Sequence, residues 1–242
     1  MLMFFALANN CFFVKNTFNI LPYKSFQMLN FINATIEFVK QELAGAETGH
    51  DWFHVERVWK NAINIAQQEQ VDILIVELAS LLHDIADSKF YDGDEDVGPA
   101  KAGKFLRSLE MDESIVVHVQ QIIKNMSYKN SFDAPIFTSK EMQVVQDADR
   151  LDAMGAIGIA RAFAYGGFKN RELYNPAIQP DPNPTKEAYK KSAAPTINHF
   201  YEKLLLLKDS MNTDTAYRMA EQRHHFMEQY LEQFFGEWEG ER

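Results

Sequence analysis

The chain is short of the residues on which several fold classes depend. It holds one cysteine, Cys11, in 242 residues. An internal disulfide and a cysteine-based zinc site are both excluded, and the composition suits a reducing, cytoplasmic compartment. Glycine (11) and proline (8) are scarce too. An all-β fold needs them for its tight turns, so their scarcity leans towards helices. Positive charge is in deficit: 24 Lys and Arg stand against 34 Asp and Glu, a formal charge of −10. A binder of nucleic-acid polymer or of an anionic membrane relies on a basic footprint, which this balance does not supply. A small anion is still accommodated if a metal or a few Lys and Arg invert the charge locally. Long hydrophobic runs are missing as well. Met1 to Val14 is apolar and aromatic but is broken by Asn9 and Asn10, and no Lys or Arg precedes it. A secretory signal starts with positive charge, and a membrane span takes about 20 apolar residues. Neither condition is met. Residues 1–27 therefore read as an extension outside the fold, with Met28 as an alternative start, and residues 28–242 as one domain.

What is present is helical periodicity. Phe31, Ile32, Ile36, Val39 and Leu43 fall on one helical face. Asp51 opens a second helix, with Trp52, Val55, Val58, Trp59, Ala62, Ile63 and Ala66 in the same period. Asp72 caps a third, apolar nearly all round from Ile73 to Leu82, and such a helix belongs in the middle of a bundle. Further helices are expected from Pro99 to Leu109 and from Asp112 through Ile123. Another starts at the capping-box pair Thr138 and Glu141 and runs on through Met154 to a stop at Gly166-Gly167. Asn170 to Pro184 is irregular, Thr185 to Lys191 holds a turn or two of helix, and Thr196–Lys208 and Thr213–Phe235 close the chain. No alternating strand pattern is evident. The fold class is all-α, a single-domain helical bundle.

The seven histidines carry little weight one by one. Their company matters more. His50 and His54 are four residues apart and can share one helix-start face. His83-Asp84 lies at the end of the buried helix. Asp147, Asp149 and Asp152 cluster on a helix otherwise apolar enough to be buried. A bare buried carboxylate is costly, so such acids must be paired, hydrogen-bonded or metal-bound. Two imidazoles with two carboxylates would satisfy a divalent metal.

The segments HDWFHVERV, ASLLHDIADSK, IIKNMSY and VVQDADRLDAMGAIGIARAF, in that order, resemble the HD-domain metal-dependent phosphohydrolases. They are closest to the bacterial branch of small HD hydrolases related to nucleotide pyrophosphohydrolases. The resemblance covers about Met28 to Trp238. It implies an HD-type helical fold and one divalent metal held by His54, His83, Asp84 and Asp149. Asp152, three residues beyond Asp149, stays open as the alternative fourth ligand. Asp87 matches an acid that in many such enzymes holds or deprotonates the attacking water. Lys89, Arg57 and Arg150 offer cationic contacts to phosphate, although an ion pair within the acidic site is the competing reading for both arginines. Lys124 and Asn125 are substrate contacts by resemblance alone. Tyr165 and Phe168, beside the Gly-Gly pair, read as packing.

The expected chemistry is attack of metal-activated water on a phosphoester or phosphoanhydride, with Asp87 as the acid-base group. There is no Gly-x-Ser-x-Gly nucleophile and no GxxxxGK[ST] phosphate loop. A small nucleotide is the expected partner. The branch implies nucleoside triphosphate cleaved to monophosphate and pyrophosphate; monophosphate or cyclic-nucleotide hydrolysis, a non-catalytic nucleotide-binding module, and pairing into a homodimer stay open. Mn is the first choice of metal, with Fe, Co, Ni, Zn and Mg as alternatives.

Overall fold

The computed structural model describes residues 23–46, 49–86, 94, 96–126, 137–181 and 193–242. Helices α1 (Tyr23–Glu42), α2 (Trp52–Ala66), α3 (Ile73–Leu82), α4 (Val97–Ser108), α5 (Glu113–Asn125), α6 (Lys140–Asp152), α7 (Gly155–Phe168), α8 (Asn198–Glu202) and α9 (Asp214–Trp238) follow in order. No strand occurs among the described residues, and no helix there is long and apolar enough to cross a membrane. The all-α, single-domain reading holds. Helix α1 begins at Tyr23, upstream of Met28, and Met28 itself packs against the edge of the core.

The starts of the helices follow their caps. The Asp51 carboxylate accepts from the His54 amide at 2.9 Å, and that of Asp72 from Leu74 and Ile75 at 3.0 and 3.3 Å. Each satisfies amides that have no partner within the helix. Helix α3 is the central element and packs against α1, α2, α5 and α6. Val76, Leu78, Ala79, Leu81 and Leu82 are fully buried, each leucine contributing about 1.5–3 kcal/mol. Helix α2 lies along α6, and α9 closes over α6 and α7.

Three boundaries differ from the sequence expectation. The cap of α6 is Ser139, whose hydroxyl accepts from Met142 N at 3.1 Å, rather than Thr138. The expected long helix through Met154 is two helices. Between them Gly155 adopts φ +67°, with the Arg223 side chain 3.1 Å from where a Cβ would sit. Only glycine takes that backbone without strain, so α6 ends immediately after Asp152. Helix α7 then runs through Gly166-Gly167 to Phe168. Gly166 does not stop it but lets it approach Thr196, whose Oγ1 would lie 2.1 Å from a Cβ. The expected helix 196–208 is broken at Lys203 (φ −147°, ψ −57°) into α8 and 3-10 turns at Leu204–Leu206 and Lys208–Ser210. Leu204 and Leu207 are buried by this break. The expected turns at Asn130–Pro135 and Thr185–Lys191 lie outside the described residues.

Candidate metal centre

Three helix ends meet at one place. The first turn of α2 carries His54, the C-cap of α3 is His83, and the last turn of α6 carries Asp149 and Asp152. Because α2 runs along α6, a histidine and an aspartate 98 residues apart come into hydrogen-bond contact. His54, His83 and Asp149 each direct one ligand atom to a common region, all within 4.8 Å of one another. His54 Nε2 is 3.3 Å from His83 Nε2 and 3.5 Å from Asp149 Oδ1.

The outer nitrogens decide what the inner ones can do. His83 Nδ1 is 2.8 Å from the Ser80 carbonyl oxygen, which only accepts, so this nitrogen carries the proton. His54 Nδ1 is 2.8 Å from Asp152 Oδ2, and the ionised carboxylate again only accepts. In the neutral rings both Nε2 atoms are therefore left with lone pairs, facing each other across 3.3 Å. That contact is unfavourable without a cation between them. A metal bound at about 2.1 Å to two imidazoles at a near-tetrahedral angle sets their nitrogens about 3.4 Å apart. The donor set and its spacing fit a divalent ion.

Asp152 lies behind His54 as an orienting carboxylate. Its side chain is 2% exposed and, besides His54, takes Arg57 Nε at 2.6 Å, Arg57 Nη2 at 3.0 Å and Arg161 Nη1 at 2.5 Å. Burial works to raise its pKa, but the bonds to His54 and Arg57 and the charge of Arg161 hold it well below the ordinary carboxylate value. The same bond raises the Arg57 guanidinium. Arg161 also donates to the Gly49 carbonyl at 3.0 Å, tying α7 to the segment before α2.

Asp84 stands on the other side of His83. Its Oδ2 is 2.7 Å from His50 Nδ1. Burial opposes its charge, yet the His50 bond and the neighbouring His83, His50 and His54 lower its pKa.

Among the predicted site residues, then, the structure brings His54, His83 and Asp149 together, with Asp84 adjacent and bonded to His50. The described residues expected to contact phosphate each have a protein partner, and for both arginines it includes the acid of the competing ion-pair reading. Arg57 is directed at Asp152. Arg150 turns to the Ser210 carbonyl (2.5 Å) and Asp147 (3.3 Å). Lys124 pairs with Asp96 at 2.7 Å, and Asn125 donates to the Gln121 carbonyl at 2.8 Å. Asp87 and Lys89 lie outside the described residues. Tyr165 and Phe168, read as packing, are 50% and 68% exposed. The roles of His50 and Arg161 were not anticipated. Only His50 carried a signal, four residues ahead of His54.

The pattern of the HD domain family matches residues 52–154. The YpgQ protein of Bacillus subtilis (strain 168) is 40% identical over 197 residues, spanning 81% of this chain and 88% of its own. The crystal structure of an HD-superfamily hydrolase from Bacillus thuringiensis superposes with a TM-score of 0.71 at 46% identity, covering 88% of this chain and 99% of that one. Bacillus subtilis YpgQ in complex with ADP superposes with a TM-score of 0.68 at 37% identity, covering 86% and 95%. Likeness of that degree, extending over nearly all the described helices, makes this chain a member of the HD domain family and a metal-dependent phosphohydrolase.

Proposed function

We propose that the chain hydrolyses nucleoside triphosphates to monophosphate and pyrophosphate with one divalent metal, Mn first, held by His54, His83, Asp84 and Asp149. The observation that carries the metal set is the pair of Nε2 atoms facing across 3.3 Å with both Nδ1 atoms engaged. The ADP complex of a relative supports a nucleotide substrate, and the charge of −10 favours a free nucleotide over a polymer.

A bound ion there supplies Lewis-acid polarisation of a phosphoryl oxygen and lowers the pKa of a water ligand. The chain's residues do the rest. Asp152 holds His54 in the Nδ1–H tautomer, with Arg57 and Arg161 keeping that carboxylate ionised; Ser80 does the same for His83. His50 orients Asp84 in the same manner from the half-exposed side. Asp87, three residues beyond Asp84, is the proposed group that aligns water and accepts its proton. Asp149 is favoured over Asp152 as ligand because Asp152 is already committed to an imidazole and two guanidiniums.

A nucleotide panel with added Mn, Co, Ni or Mg, reading phosphate and pyrophosphate release separately, tests the reaction. Pyrophosphate from triphosphates is the expected product; phosphate alone would reassign the bond cleaved. His83→Ala and Asp149→Ala are expected to lose both metal and activity. Full turnover by either purified variant would sink the ligand set.

A further inference from the structure

Helix α7 holds no histidine, aspartate or glutamate, yet its Arg161 meets both sides of the metal centre. Arg161 Nη1 donates to Asp152 Oδ2 at 2.5 Å and to the Asp152 carbonyl oxygen at 3.2 Å, and Nη2 donates to the Gly49 carbonyl oxygen at 3.0 Å. The first acceptor is the same oxygen that takes His54 Nδ1 at 2.8 Å. The second belongs to the last residue of α6, where the carbonyls lack helical donors and a cation is favourable. The third belongs to the residue before His50.

That third contact bears on a metal ligand. The Gly49 carbonyl and the His50 amide share one rigid peptide plane, so a donor held on the carbonyl fixes the plane from which His50 leaves the backbone. Gly49 has φ +109°, a conformation suited to glycine, and Arg161 Nη2 would lie 4.0 Å from a Cβ there. His50 Nδ1 in turn is 2.7 Å from Asp84 Oδ2, and its ring stands 6.1 Å from that of His54. Two lines of contact therefore leave one guanidinium. One passes through Asp152 to His54, the other through Gly49 and His50 to Asp84. Arg57, by contrast, spends both of its described bonds on Asp152. A guanidinium is planar and its donors diverge at fixed angles, so bonds on Nη1 and Nη2 hold their acceptors at a set spacing that a lysine ammonium does not reproduce.

We propose that Arg161 is the positioning residue that sets both His-Asp pairs, His54 with Asp152 and His50 with Asp84, in one register, so that His54 and Asp84 present their ligand atoms to the metal together. This rests on the ligand set proposed above. Loss of Arg161 then disturbs the Asp84 side as well as the His54 side, whereas loss of Arg57 disturbs the His54 side alone.

Mn and Co are the probes, titrated into the purified full chain; the Co-loaded protein also gives a visible spectrum set by ligand number and geometry. Arg161→Ala should lower metal affinity about 10–100-fold, the range for groups that orient a ligand, and should change the Co spectrum. Arg161→Lys keeps a cation beside Asp152 and should recover only part of the loss; it carries the test if the alanine variant does not fold. Because Arg161 acts through His50, His50→Ala should cost less metal affinity in either Arg161 variant than in the wild type, while in Arg57→Ala its cost should be undiminished. Losses at Arg161 and His50 that multiply as independent factors would overturn the proposal, as would a wild-type Co spectrum in the Arg161 variants. In nucleotide turnover kcat should fall with KM within about twofold of wild type; a rise in KM alone would make Arg161 a substrate contact instead. A wild-type protein that binds both ions but hydrolyses no nucleotide refutes the proposed reaction and leaves the metal titrations to decide Arg161. One that binds neither ion refutes the ligand set and the positioning role together.

Discussion

Helix α6 carries a buried carboxylate near each end of its second half, and the two have opposite electrostatics. Asp147 is fully buried and accepts from Asn212 N (2.9 Å), Thr213 N (2.8 Å), Thr213 Oγ1 (2.9 Å) and Asn212 Nδ2 (2.9 Å), with Arg150 at 3.3 Å. Asp152, nearly as buried, accepts from His54, Arg57 and Arg161. Burial raises the Asp147 pKa despite its amide and hydroxyl donors, while Asp152 is pulled down by an imidazole and two guanidiniums. Neutral dipoles make a buried acid geometrically content; full cations keep it charged. The first arrangement is a clamp that docks the start of α9, and the second is an electrostatic setting for a metal-facing histidine.

Breaking the Asp152 side should have the largest effect. Asp152→Ala leaves two guanidiniums and His54 without their common partner. It is expected to cost about 3–5 kcal/mol in stability and about 10–100-fold in metal affinity, read by urea unfolding and Mn titration. Its depressed pKa adds a sign: the Asp152 contribution is present above the ordinary carboxylate value and lost as pH falls through the folded one. An unfolding series from pH 7 down to 3 should therefore show an acid limb that Asp152→Ala flattens. If the limb persists unchanged in the variant, other carboxylates carry it.

The Asp147 side should break differently. Asp147→Ala is expected to cost about 3 kcal/mol by stranding buried donors and Arg150, with metal affinity within about twofold of wild type. A tenfold loss of metal affinity would show that the clamp and the site are not separable. A third test concerns α8. Burial first, then Lys203 and Arg171, bring His199 from its ordinary 6.5 down to about 3. The unfolded chain thus binds a proton that the fold refuses, so stability falls as pH drops below 6.5, by about 2 kcal/mol at pH 5. His199→Phe should flatten this limb; equal slopes in both proteins would remove the assignment. The smallest effect is expected from Thr213→Ala. It deletes the α9 cap bond to Ala216 N (3.2 Å) and one donor to Asp147, a cost of about 1 kcal/mol seen as a lowered Tm with unchanged metal affinity.

Much of this was legible in the residues. The 3.6-residue period, the Asp51 and Asp72 caps and the unbroken apolar surface of Ile73–Leu82 lead to the right helices, because caps and periodicity act within one turn. His54, His83 and the α6 acids stood out because polar groups on apolar helices require partners. Local reading failed where a distant group set the backbone. Gly155 looks like one more residue of a helix until Arg223 packs against it, and Gly166 looks like a stop until Thr196 needs the space. For Arg57 the residues left a phosphate contact and an ion pair in the acidic site both open; the ion pair is with Asp152, 95 residues away.

By itself, then, the chain's sequence determined an all-helical bundle with histidines and acids at helix ends, since those features depend on neighbours within a turn or two. Only the tertiary structure decided which acid faces which nitrogen. Asp149 and Asp152 are three residues apart on α6 and equal in composition. The packing of α2 along α6 puts one beside His54 Nε2 and the other beside Nδ1. That difference of one ring edge separates a carboxylate facing the metal-binding region from one that orients the histidine.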